Sequence, residues 1–395
     1  MNEAPLKVLL VLCWHPTSTT PNYCKWILPH IQAARITKND ITVLHLEVVN
    51  NHDDVIDLEM IDHDHYHSTV YVSKSDQKRN CISYAKLART YTEKLSGIYK
   101  MLSRKNGIPD VIHAHVSLPA GYSAAKIGKI DNIPVIVSEH YSGFESDMRF
   151  FWRTRRFINE MMKEIHTFTA VSAGFLNRVK KTKVRNTPNF IVLENPIDTK
   201  IFRYKEETGQ NSGILKIVTV ATNSTVKGTD LLLSALQKFE DTEHKWSLKI
   251  IGNFDKEGIL VKSFFDNPYI RDRVTVEGRL NQHSMAEIYH DADLYVVSSR
   301  SETANVSMLE AMSCGIYVLS TKCGGPETLL PAGMSTLVNA NSDDAIYAGL
   351  VEVFEQKGKV ERRSISNFVE DNYSIEKISE KLDELYVGTV SENGR

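Results

Sequence analysis

Two glutamates, Glu302 and Glu310, bracket the small and partly apolar run TANVSML in the stretch SETANVSMLEAMSCG, which closes on Gly315. An ionised carboxylate only accepts hydrogen bonds, so a pair of them suits the hydroxyls of a sugar. The residues after Asn305 predict a helix from about Asn305 to Met312, stopped by Gly315. The free N–H groups at its start, over Asn305, Val306 and Ser307, are suited to a diphosphate. One acid then meets a sugar on the loop side and the other the ribose of a nucleotide. Taken alone, the pair also reads as an acid at a helix N-terminus followed by a surface acid, and the context decides between the two.

Other residues invite competing chemistries. His113 and His115 lie two apart at a strand end and share a face, but no third ligand is close in sequence, so packing is expected ahead of metal binding. Asp62-His63-Asp64, with His65 and His67, forms a D-x-D with added nitrogen ligands, and Asp291-Ala292-Asp293 repeats the pattern. The first falls in a polar, peripheral segment and the second just before a buried strand, so no metal site is assigned to either. Arg149, Arg153 and Arg156 fall on one helical face, with Phe150, Phe157, Ile158 and Met161 largely on another. Such a helix suits an anionic membrane surface or a lipid-diphosphate acceptor; its plainer reading is a packing helix with solvated arginines.

The elements that must position these groups follow from patterning. The chain has 395 residues, and 47 Lys and Arg nearly balance 49 Asp and Glu, so no global field points to a polyanion such as DNA. The N-terminal apolar run is too short for a signal peptide and ends in Trp14-His15-Pro16, so it predicts a buried strand. No stretch matches a membrane span. The five cysteines lack CxxC spacing and read as reduced thiols of a cytosolic protein.

Short β-branched runs alternate with amphipathic stretches, the pattern of parallel sheets with crossover helices. Strands are expected at residues 8–13, 41–46, 111–115, 135–138, 168–171 and 191–193, and again at 216–220, 248–251, 274–277, 294–297 and 317–320. The polar stretch FRYKEETGQNSGIL, residues 202–215, reads as the linker. The expectation is an α/β protein of two doubly wound, Rossmann-like domains, residues 1–200 and 201–373, facing a central cleft. An amphipathic helix over 374–388 packs back on the first.

In this frame the sequence resembles the retaining glycosyltransferases of family 4, a GT-B group that uses nucleotide sugars. The resemblance rests on SETANVSMLEAMSCGIYVLSTKCGGPETLL, and on PDVIHAHVSLPAGYSAA, IPVIVSEHYSGF, AVSAGF, ENPIDTKIF, VKGTDLLLSAL, LKIIG, RVTVEGRL and DADLYVVSS in the family's order across nearly the whole chain. It implies that Glu302 contacts the transferred sugar and Glu310 the ribose. Amides near Asn305, Val306 and Ser307 hold phosphate, Lys227 neutralises the diphosphate, and His140 contributes to catalysis beside the sugar. His15 lines the acceptor side without acting as a base, joined there by Arg149 and Arg153.

Two departures stand out. Where the family carries Gly-Arg after the first strand of the second domain, this chain has Ala221, Thr222 and Asn223, leaving Arg300 or Arg279 to replace the missing cation. In the loop after the first strand, Cys24 takes the place of a glycine.

The resemblance implies an enzyme that needs neither cofactor nor metal. It moves a sugar from a nucleoside-diphosphate sugar to the hydroxyl of a glycan or lipid-linked glycan, in cell-surface polysaccharide or glycolipid biosynthesis. It is expected in the cytoplasm, with peripheral contact at the inner face of the membrane and no nucleic-acid partner. The alternatives are a GT-B epimerase or phosphorylase, and a catalytically silent sugar-nucleotide binder.

Overall fold

The computed structural model describes residues 4–14, 24–49, 58–62, 65–71, 81–144, 148, 152–182, 188–206, 213–240, 242–356 and 360–393. The chain forms two compact units, residues 1–195 with 378–395, and residues 196–377. The polar stretch 202–215 begins inside the second unit and is not the point of crossing. Phe202 is buried there, with its ring 6.0 Å from that of Tyr289.

The first unit carries β1 (Lys7–Leu12), β2 (Asp40–Val49), β3 (Leu58–Asp62), β4 (His65–Tyr71), β5 (Val111–His115), β6 (Val135–Glu139), β7 (Thr167–Ala170) and β8 (Asn189–Val192). Their order is β3-β4-β2-β1-β5-β6-β7-β8, parallel except for the β3–β4 pair. The central strands β1, β5, β6 and β7 are buried almost throughout, because helices cover both faces of a doubly wound sheet. That is why they read as continuous apolar runs instead of alternating ones.

The second unit carries β9 (Leu215–Val220), β10 (Trp246–Ile251), β11 (Val274–Glu277), β12 (Leu294–Val297), β13 (Tyr317–Thr321) and β14 (Ser335–Val338), in the order β11-β10-β9-β12-β13-β14. Every pairing in it is parallel. Its core sets Leu215, Ile217, Leu248 and Ile250 against Leu232, Leu233 and Leu236 of helix Thr229–Gln237. In both sheets the strand order reverses beside the first strand, between β1 and β5 and between β9 and β12.

The last helix spans Ile375–Glu392 and buries Ile375, Ile378, Leu382 and Leu385. From Ile378 onward it belongs to the first unit, where Tyr386 Oη meets His113 Nδ1 at 2.9 Å and Lys381 pairs with Glu194 at 2.8 Å. Among the described residues, no helix is long and apolar enough to cross a membrane.

Candidate active site

Open parallel sheets bind ligands beyond the carboxyl ends of their strands, where the order reverses. In the second unit that point lies between the loops after β9 and β12. The first loop contains Thr222, half-buried, whose hydroxyl accepts from the Ser224 N–H at 3.4 Å. Asn223 exchanges bonds of 2.7 and 2.6 Å with the backbone of Asp255. After a short turn over Thr225–Lys227 the chain passes Gly228 at φ 62°. A Cβ there would lie 2.0 Å from the Ser298 carbonyl oxygen, so only glycine lets this loop press against the end of β12.

That close approach brings Lys227 Nζ to 2.7 Å from Glu302 Oε1, joining the two loops. Glu302 is 7% exposed, and the Ser299 hydroxyl donates to the same carboxylate oxygen at 2.7 Å. Its loop is held from the β13 side as well. Glu302 N–H donates to the Cys323 carbonyl at 3.0 Å, and a Cβ on Gly325 would meet the Thr303 oxygen at 2.2 Å. Glu327 steadies that second loop by accepting from the Gly324 N–H with both oxygens at 2.8 Å.

Asn305 turns the chain into helix Val306–Ser313 at φ 70°, and its Oδ1 accepts from the Met308 N–H at 3.0 Å. This cap leaves the N–H groups of Val306 and Ser307 without a hydrogen bond among the described residues, as the first turn of a helix does. A fixed ammonium, a buried carboxylate and two free amides therefore meet in one place.

Glu310 lies one turn further on, half-buried, and burial pushes its carboxyl up to about 7. A carboxyl raised in the folded state contributes most to stability below the ordinary carboxylate range, and that contribution is lost as pH rises through about 7. Ribose hydroxyls donate best to the ionised form. If Glu310 holds a ribose, as the resemblance implies, nucleotide-sugar affinity is expected to increase as pH rises through about 7 and then level off. In Glu310→Gln the affinity is lower and flat with pH, and above pH 7 the free variant melts higher than the wild type by roughly 2–4 °C. Calorimetric titration and thermal unfolding across this range check both.

Arg300 does not replace the missing arginine. Its guanidinium is committed to Asp230 by two bonds of 2.9 and 2.7 Å and to the Thr225 carbonyl at 2.6 Å, an arrangement that ties its loop to helix Thr229–Gln237. Arg279 is exposed on the loop after β11. Asp291 and Asp293 are also engaged, the first with Lys216 Nζ and the second with the Lys216 N–H, at the amino end of β9.

In the first unit, His140 follows β6 and both its ring nitrogens are engaged. Nε2 meets His115 Nδ1 at 2.9 Å and Nδ1 meets Asn195 Oδ1 at 3.2 Å. His30 Nε2 reaches the same Asn195 oxygen at 3.0 Å. His113 and His115 stack on β5, and His113 bonds Tyr386 Oη on one side and Ser138 Oγ, at 2.7 Å, on the other. Burial pushes His30 down to about 4 and His113 to about 3, and lowers His115 and His140 well below the usual imidazole range. The cluster is neutral at physiological pH. Cys24 takes φ 49°, in the left-handed region that favours glycine.

His15, Arg149 and the Arg153 side chain lie outside the described residues, as do His63, Asp64 and the side chains of Asp62, His65 and His67. Helix Trp152–Glu164 buries Ile158, Met161 and Met162 and exposes Arg156, which pairs with Glu160 at 3.1 Å. Cys13, Cys24, Cys314 and Cys323 form no disulfide among the described residues. Sequence reading did not single out Ser299, Asn195, His30 and Glu139. Of these, Asn195 and Glu139 stand inside the quoted ENPIDTKIF and SEHYSGF, so only their partners were hidden.

Residues 200–371 match the family model described as glycosyl transferases group 1, and residues 63–201 match that of glycosyltransferase family 4. The chain is 24% identical over 243 residues to the phosphatidylinositol N-acetylglucosaminyltransferase gpi3 subunit of Schizosaccharomyces pombe, covering 61% of this chain and 52% of that protein. It is 23% identical over 271 residues to the putative teichuronic acid biosynthesis glycosyltransferase TuaC of Bacillus subtilis, covering 66% and 65%. The chain thus spans about half the length of the eukaryotic relatives it matches. Among solved structures, sucrose-phosphate synthase from Thermosynechococcus elongatus superposes with a TM-score of 0.73 at 15% identity, over 98% of this chain and 100% of that one. Anabaena HepE in complex with UDP gives 0.69 at 15% identity, over 97% and 100%. These likenesses establish the GT-B fold.

Proposed function

The chain belongs to the group 1 and family 4 glycosyltransferases, and on that premise we propose that it moves a sugar from a nucleoside-diphosphate donor to an acceptor hydroxyl, with retention at the anomeric carbon. The observation that carries this reading is the 2.7 Å contact of Lys227 with Glu302 across the β9–β12 reversal, beside the open amides of Val306 and Ser307. The ammonium and the amides offer a fixed positive field to a diphosphate, the Glu302 carboxylate accepts from a sugar hydroxyl, and Glu310 accepts from ribose. Since this field comes from the protein, the reaction is expected to proceed in the presence of a chelator.

The departing phosphate oxygen takes the acceptor proton on the same face of the sugar, so the scheme needs no nucleophile from the protein. The second unit holds the donor and the first supplies the acceptor surface near His140. The names of the fission-yeast and Bacillus relatives favour a glycolipid or cell-surface polysaccharide as product, made on the cytoplasmic side of a membrane to which the protein is at most peripherally attached.

Purified protein incubated with UDP- and GDP-sugars, with and without glycan acceptors, tests the proposal. Nucleoside diphosphate release should depend on acceptor, and proton NMR should show the donor's anomeric configuration in the product. Release without any transfer product, or an inverted product, would count against it.

A further inference from the structure

Three aromatic side chains at the carboxyl end of the first sheet have no part in the chemistry above. Trp14 lies two residues past β1, Trp26 stands at the start of helix Ile27–Arg35, and Tyr141 lies two residues past β6. All three are half-buried. Trp14 meets Trp26 edge to face at 6.4 Å between centroids and Tyr141 at 5.8 Å, while Trp26 lies against the His140 ring at 4.4 Å.

The polar groups behind them fix what this surface can recognise. Asn195 Oδ1 accepts from both His30 and His140, which places the His140 proton on Nδ1 and leaves Nε2 to accept from His115. The imidazole is satisfied inwardly and presents a ring. Glu139 also faces inward, accepting from the backbone N–H groups of Ser117, His140 and Tyr141 at 2.9, 2.9 and 2.8 Å. These groups therefore offer a cation no free carboxylate and a phosphate no positive charge. In contrast, the indole N–H groups of Trp14 and Trp26 have no hydrogen-bond partner among the described residues, whereas that of Trp246 donates to Tyr269 at 3.1 Å.

Neutral rings with unused N–H donors match one ligand class well. A pyranose lays its C–H face on an aromatic ring while its rim hydroxyls accept from indole N–H. We propose that Trp14, Trp26 and Tyr141 form a subsite for a neutral pyranose ring of the acceptor, so that the group glycosylated belongs to a glycan and not to a bare lipid phosphate. This rests on the glycosyltransferase reading, which it deepens by naming the acceptor class.

Tryptophan fluorescence tests it, with neutral methyl glycosides and disaccharides in one arm and glycerol phosphate and inositol phosphate in the other. The neutral sugars should change the emission saturably, and Trp26→Leu and Trp14→Leu should each weaken the apparent affinity about tenfold or more. Circular dichroism checks that the variants are folded; should Trp26→Leu fail to fold, Trp14→Leu and Trp26→Phe carry the test. The idea is overturned if neutral sugars leave the emission unchanged, if both leucine variants bind them as the wild type does, or if only the phosphates bind. Nucleoside diphosphate release by the wild type, measured in parallel, separates the failures. Release without a sugar effect on emission sinks the subsite alone, while no release from any donor sinks the glycosyltransferase reading.

Discussion

Lys227→Ala should lower kcat/KM for sugar transfer by about 10²–10³-fold, as expected for loss of a preorganised charge at the leaving diphosphate. Thr222 carries no charge and Arg300 is held by Asp230, so neither shares the load. Glu302→Gln should reduce transfer to a similar degree but act oppositely on the nucleoside diphosphate alone. Without the carboxylate 2.7 Å away, the ammonium is free for phosphate, and the diphosphate lacking its sugar should bind more tightly. A calorimetric comparison of wild type, the two single variants and Lys227→Met with Glu302→Gln checks this. The double variant should recover part of the stability lost by Lys227→Ala, which strands a buried carboxylate, and recover none of the activity. If Glu302→Gln weakened diphosphate binding, the two side chains would be acting on the ligand together, not competing for each other.

The unequal effects expected of these residues mirror what the sequence could reveal. VIHAH and LYVV read correctly as strands because a strand buried on both faces has no polar alternation to obscure it. β14, with its half-buried STLV at the sheet edge, lacks that signature and was not anticipated. The segment around IDHDHYH read as peripheral, and it lies at the sheet edge, but there it forms β3 and β4, and the pairing of β4 with β2 and of β3 with β4 depends on backbone bonds that side-chain pattern does not report. The same limit applies to the site. Glu302, Asn305 and Lys227 were legible by type and motif, whereas the commitment of Arg300 depends on Asp230, 70 positions away. His113 finds Tyr386 across 273 positions, and His30 finds Asn195 across 165. Residue type announces a capacity to bond, and only the fold decides which partner uses it up.

Glu139 shows how large such a hidden commitment can be, and Glu139→Ala should be the most destabilising single change in the first unit. The carboxylate is 1% exposed and gathers N–H groups from both the β5 and β6 loops, namely Ser117 on one oxygen and His140 with Tyr141 on the other. The β5 loop needs such restraint, because β-branched Val116 sits at φ 74°, a costly conformation that persists only when its surroundings enforce it. Removing the carboxylate strands one buried donor at about 1–3 kcal/mol and two half-buried donors at about 1 kcal/mol each, so a loss on the order of 3–5 kcal/mol is expected, a large part of a typical domain's stability. Glu139→Gln retains an acceptor oxygen for one of the loops and should lose roughly half as much. Burial pushes the Glu139 carboxyl above its ordinary range despite the N–H donors, so its favourable contribution is complete below that range and declines as pH rises through its folded value. The uncharged glutamine has no such slope, and the stability gap between wild type and Glu139→Gln should narrow as pH rises through that window. Urea unfolding of the three proteins at several pH values measures both effects. If Glu139→Ala lay within about 1 kcal/mol of wild type, other groups or water would have to satisfy those N–H donors, and the carboxylate would not be what joins the two loops.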